Sequence, residues 1–135
     1  MALQYVPLLA VPFLLYNAFA FLIFDDAQLG FSQEGIFTVS MVSGATFTLT
    51  VSAAVVIMAL ILLVFEVLKA TRIGSGAVAD HVLATVLFVA FLLEFLLARQ
   101  AATSTFLILM VISLVDLVCG FAVSLRSAAR DITVS

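Results

Sequence analysis

Two acids stand inside long apolar runs, and they are where this sequence could do chemistry. Glu94 lies within residues 81–98 (HVLATVLFVAFLLEFLLA), and Asp116 within residues 103–125 (TSTFLILMVISLVDLVCGFAVSL). An ionisable side chain at the centre of a hydrocarbon span costs about 2.5–3.5 kcal/mol on insertion scales, so it persists by facing protein or water. Two uses fit that cost. The acids can tie helices together by hydrogen bonds, or they can pass a proton or cation. At a rise of 1.5 Å per residue, Glu94 falls about 7 Å and Asp116 about 20 Å from the Arg99 end of the hairpin. Their offset is too large for a shared proton without water between them. Asp80 and His81 open the same hairpin at its other end, so Glu94, Asp116 and His81 form a series stepping across it.

The neighbours of Asp116 indicate where it points. Ser113, Cys119 and Gly120 lie at i−3, i+3 and i+4, on its helical face, while Leu114, Val115, Leu117 and Val118 point elsewhere. The face is small and polar, which suits a helix–helix contact. Glu94 has the greasier company of Phe91, Phe95 and Ala98.

No other catalytic set is present. The one histidine reads as a surface hydrogen-bonding residue and excludes haem held by two histidines of this chain. The one cysteine, Cys119, makes neither an intramolecular disulfide nor a metal site. Gly74-Ser75-Gly76 lacks the spacing and following lysine of a phosphate-binding loop. No nucleophile stands near a base. The expectation is therefore no catalytic residue, no metal and no cofactor: the chain does not read as an enzyme.

Composition explains what must hold these acids. Of 135 residues, 66% are hydrophobic and 10% charged, against about a quarter charged in soluble domains. A soluble core of this size could not hide that much apolar surface, so lipid is the expected solvent. The net charge is −3 and no basic block exists, which excludes a nucleic-acid partner. Tryptophan is absent, leaving Tyr5, the arginines and Phe as interfacial anchors.

The predicted fold is an all-α antiparallel bundle of four transmembrane helices in one domain, with spans near 6–24, 43–68, 81–98 and 103–125. Ala18-Phe19-Ala20 mimics a signal-cleavage site, but no basic residue precedes it, so the first helix reads as retained. Pro7 suits its first turn, and Pro12 is expected to bend it. Asn17, at mid-span, reads as an interhelical hydrogen-bonding residue. Asp25 to Gly35 is a polar connection ending in a Ser32 cap. Apolar character then runs from Ile36 to Leu68, about 50 Å as a helix against a hydrocarbon core of about 30 Å. One long second helix is favoured over two pieces. Along it Ser40, Gly44, Thr48 and Ser52 recur at every fourth position, a small-residue stripe suited to close helix packing, as are Ser113 and Gly120 on the fourth helix. Glu66 and Lys69 are expected to pair at its end, Asp80 to cap the third helix, and Thr103 or Ser104 the fourth.

Lys69, Arg72, Arg126 and Arg130 gather at one side and only Arg99 at the other, which predicts both termini in the cytoplasm. The expected role is a structural or accessory subunit of a homo-oligomer or larger complex in a bilayer, with a bacterial inner membrane the expected site. The alternative is a small proton- or cation-coupled transporter or channel using Glu94 and Asp116.

Overall fold

The computed structural model describes residues 7–23, 30, 33–70 and 76–134. It is mostly helical. Helix α1 (Ala10–Ala18) continues as a π-helical turn (Phe19–Ile23). Strands β1 (Gly35–Ser40) and β2 (Thr46–Thr50) follow, then α2 (Val51–Ala70), α3 (Gly76–Leu97), a 3-10 turn (Arg99–Ala101) and α4 (Ser104–Val134). Three of these helices contain stretches long and apolar enough to cross a membrane: Val51–Lys69, Val78–Leu97 and Ser104–Val123; α1 with its π turn is apolar but shorter. Tyr5, Asp25, Ser32 and Arg72, on which expectations were placed, lie outside the described residues, as do the side chains of Arg126 and Arg130.

Helix α4 is the common partner: it packs extensively on both α2 and α3, and α1 lies against α2 and α4. Contacts fix the directions. Ser52 Oγ meets Thr105 Oγ1 at 2.7 Å, so α2 and α4 start side by side and run parallel. Leu8, before α1, bonds Glu66 near the end of α2, so α1 runs against them. The short Ala98–Thr103 connection turns α3 back onto α4. The core between them is aromatic. Phe13 and Phe91 meet edge-on with centroids 4.7 Å apart, Tyr16 and Phe106 at 4.9 Å, and Phe91 and Phe106 at 5.3 Å. Such pairs contribute about 0.5–1.5 kcal/mol each beyond area burial. Leu9, Val55, Ala59, Leu87, Leu109 and Ile112 complete it.

The second helix differs most from expectation. It begins at Val51, and residues 35–50 are an antiparallel hairpin pairing Phe37 with Leu49, Thr38 with Thr48, Val39 with Phe47 and Ser40 with Thr46. Ser40 is therefore on β1, Gly44 in the turn, Thr48 on β2 and only Ser52 in the helix; the four do not share a helical face. The physical reason is written in the residues. Phe37, Val39 and Met41, then Phe47 and Leu49, alternate with Thr38, Ser40, Thr46, Thr48 and Thr50. That is the period of a strand with one apolar face, and threonine is β-branched. The turn agrees: Gly44 N–H donates to Met41 O at 2.9 Å, Met41 N–H to Ala45 O at 2.8 Å, and Gly44 has φ +90°. A left-handed glycine after a four-residue turn closes a three-residue hairpin loop. Thr50 Oγ1 then accepts from Ala53 N at 3.2 Å and starts α2.

Two smaller corrections concern helix starts. Pro12 falls in the first turn of α1, which begins at Ala10, where a missing N–H deprives the helix of little. Asp80 caps nothing, because α3 starts earlier, at Gly76. Thr103 caps α4 as expected: its Oγ1 accepts from Phe106 N at 3.1 Å.

Candidate functional site

The polar side chains of the bundle collect at two levels. The first joins α1, α3 and the start of α4. Tyr16 is fully buried, and its hydroxyl lies 2.8 Å from Gln100 O and 2.6 Å from Thr103 Oγ1. A hydroxyl has one proton. Gln100 O can only accept, so Tyr16 O–H donates there and Thr103 O–H donates to Tyr16. Thr103 Oγ1 in turn accepts the Phe106 N–H. The chain Phe106 to Thr103 to Tyr16 to Gln100 is thus satisfied at each step. It pins α1 to the α3–α4 turn.

Glu94 stands beside this chain. The Asn17 side chain is its hydrogen-bonding neighbour, and the Tyr16 phenol lies nearby. Asn17 Nδ2 also donates to Phe13 O, 2.8 Å away, one turn back in α1. An amide nitrogen carries two protons, so Asn17 can serve both. Glu94 Oε2 is buried and has no hydrogen-bond partner among the described residues. The expected interhelical role of Asn17 thus acquires an address on α3, and that address is Glu94.

The second level joins α2, α4 and the beginning of α3. Asp116 is 5% exposed. It shares its buried face with Ser113, 1% exposed, and with Gly120, also buried. Glu66, Lys69 and Asp80 are the charged groups whose fields reach it. Glu66, at 8% exposure, is as hidden as Asp116. Its Oε1 accepts from Lys69 Nζ at 3.2 Å and from Leu8 N–H at 2.5 Å. Pro7 precedes Leu8, which lies in the turn just before the Leu9 N-cap of α1, where the N–H has no acceptor within the helix. Glu66 supplies one across the bundle, and its negative charge suits the positive end of α1. The expected Glu66–Lys69 pair is present, and its carboxylate is buried.

The series from Glu94 through Asp116 to His81 is therefore divided. Glu94 belongs with Asn17 and Tyr16, whereas Asp116 belongs with Glu66, Lys69 and Asp80. His81 sits on α3 against the Phe121 ring of α4, with centroids 6.2 Å apart. It opens onto a groove of about 660 Å³ walled by Val82, Val86, Leu117 and Val118. Sequence reasoning missed the burial of Glu66 and the place of Tyr16. Proline at position 7 followed by bare N–H groups was a signal for the first; nothing local pointed to the second. Among the described residues no three His, Cys, Asp or Glu come together as a metal site, and Cys119 is a free thiol.

No protein-family model matches the chain, and comparison with curated proteins and with solved structures finds no match.

Proposed function

We propose that this chain is an integral membrane protein that crosses the bilayer four times, acting as a structural or accessory subunit of a homo-oligomer or larger membrane complex. One observation carries the reading. The three long apolar helices bury only 22%, 17% and 33% of their spans inside the chain, while Glu66, Ser113 and Asp116 are turned inward. Large side chains such as Ile61, Phe65, Val86, Leu96 and Val118 are more than half exposed. In water this would be an apolar surface far beyond what monomers tolerate; in lipid it is the ordinary outer face of a bundle. The first, short helix supports a fourth crossing because it lies alongside α2 and α4. The basic residues of the sequence, with Lys69 at the end of α2 and Arg99 at the opposite end, favour both termini in the cytoplasm. A bacterial inner membrane remains the favoured location.

The subunit role is supported by how the polar groups are used. Tyr16, Thr103, Glu66, Ser52 and Thr105 are engaged with one another or with backbone, which spends them on holding helices together. The experiment is a mass measurement of the purified chain in nanodiscs. A stable multimer with no ion flux in liposomes is expected; a monodisperse monomer contradicts the reading.

A second reading, a proton- or cation-coupled transporter, is favoured by two observations: the buried Glu94 Oε2 without a partner among the described residues, and Asp116 among other charged groups. Liposomes under a proton gradient separate the two. Flux abolished by Asp116→Asn supports transport, and its absence supports the subunit.

A further inference from the structure

The hairpin carries an apolar face that the described residues leave largely uncovered. Phe37 and Phe47 are nearly half exposed, as are Val39 and Met41. An isolated two-stranded hairpin is marginal in water, and stability comes with a third strand or a packed face. The usual protections of an open strand edge are charged residues and proline. Residues 35–50 contain no Asp, Glu, Lys, Arg or Pro. The two edges differ, however. Strand β2 passes into partial cover at Leu49 and Thr50, whereas β1 is exposed along its whole length.

The ladder tells which backbone groups β1 offers. Antiparallel pairs alternate between those that exchange hydrogen bonds and those that turn their N–H and C=O outward. Met41 and Ala45 bond at the turn, so Val39 and Phe37 bond to β2, and Ser40 and Thr38 face out. The 3.1 Å approach of the Thr38 and Thr48 hydroxyls fits that phase, because pairs that do not exchange hydrogen bonds lie closer. Open edges do not occur within hydrocarbon, so lipid is a poor occupant for this one. Another β edge satisfies it, and about a two-fold axis the same edge of a second copy supplies one, since such an interface joins one patch to itself.

We infer that β1 pairs with β1 of a second copy, Thr38 opposite Thr38, giving a four-stranded sheet in the order β2, β1, β1, β2. The inference rests on the oligomer proposed above and names where its copies meet. Both apolar faces then lie on the same side of the joined sheet, and neither β1 edge is left open.

Cysteine crosslinking in nanodiscs tests it. In a Cys119→Ala background, single cysteines replace Phe37, Thr38 or Val39 in turn on β1, and Thr48 on β2. Facing residues of a hydrogen-bonded antiparallel pair lie about 5.5 Å apart, within the Cα range of a disulfide. Mild oxidation is expected to convert most of the Thr38→Cys chain to covalent dimer and little of the Thr48→Cys chain. Ser40→Pro, which removes an outward N–H without touching the hairpin's own ladder, is expected to abolish the dimer at position 38. The native mass of the unsubstituted chain is measured alongside. A multimer without crosslinks at 37–39 overturns the β1 pairing and leaves the oligomer standing; a monomer overturns both. Quenching of a label at position 39 by brominated lipid, without crosslinks, assigns the face to the bilayer and also overturns the pairing.

Discussion

Removing the Tyr16 hydroxyl is expected to loosen α1 from the bundle by a calculable amount. Tyr16→Phe keeps the ring against Phe106 and deletes two hydrogen bonds, to Gln100 O at 2.8 Å and Thr103 Oγ1 at 2.6 Å. A net bond is worth about 0.5–1.5 kcal/mol in soluble proteins, and interhelical bonds in a bilayer average about 0.6 kcal/mol. Two of them give about 1–3 kcal/mol. Thr103→Val does more, because Thr103 also caps α4 through Phe106 N, a role worth about 0.5–2 kcal/mol. A double-mutant cycle separates the two roles. The coupling energy between Tyr16→Phe and Thr103→Val should be about 0.5–1.5 kcal/mol, with the remaining cost of Thr103→Val belonging to the cap. The assay is reversible unfolding in mixed micelles, followed by helical circular dichroism. A coupling within about 0.3 kcal/mol of zero, the usual scatter for independent sites, refutes the hydroxyl relay. The double variant matters, since Tyr16→Phe alone could lose stability for reasons unrelated to Thr103.

Three further outcomes follow from the same geometry. Glu66→Ala frees the Leu8 N–H and leaves Lys69 with less company, so amide exchange at the start of α1 should accelerate by about tenfold or more, as loss of about 1.5–3 kcal/mol implies; unchanged exchange there contradicts the cross-bundle cap. Gly44→Ala forces a side chain onto φ +90° and should destabilise the hairpin turn by about 1 kcal/mol or more, read as faster exchange of the Met41 amide. Gly35→Ala places a methyl 2.8 Å from Thr48 Cγ2 and should disturb the hairpin at its other end; identical spectra for the wild type and this variant contradict the pairing.

How much of this was legible in the residues divides by range. The third and fourth helices, their tight turn and the Thr103 cap follow from local pattern, and so does the inward face of Asp116, set by Ser113 and Gly120. The hairpin was equally local, yet hydropathy alone favours one helix from Ile36 to Leu68. Alternation of Phe, Val and Leu with Thr and Ser is the better guide there, and it outweighs a four-residue recurrence of small side chains. What lies beyond any local pattern is register between helices. Asn17 meets Glu94, and Leu8 meets Glu66 across 58 residues, because α1 docks at one particular height. Periodicity tells which face is buried but not the height at which two faces meet. The stepped series of acids shows the same division: spacing along α3 and α4 was readable, while the partners on α1 and α2 were not.

The central proposal is that lipid touches the outer faces of these helices while Glu66 and Asp116 turn inward among them. Spin labels at Ile61, Val86 and Val115, which face outward, and at Val55, Leu87 and Ile112, which face the core, test it in one series. In a Cys119→Ala background in bilayers, the outer three should collide freely with oxygen and the inner three little, with a water-soluble nickel complex excluded from all six. Ready collision of the nickel complex with labels at Ile61 and Val86 would place those faces in water and contradict the account.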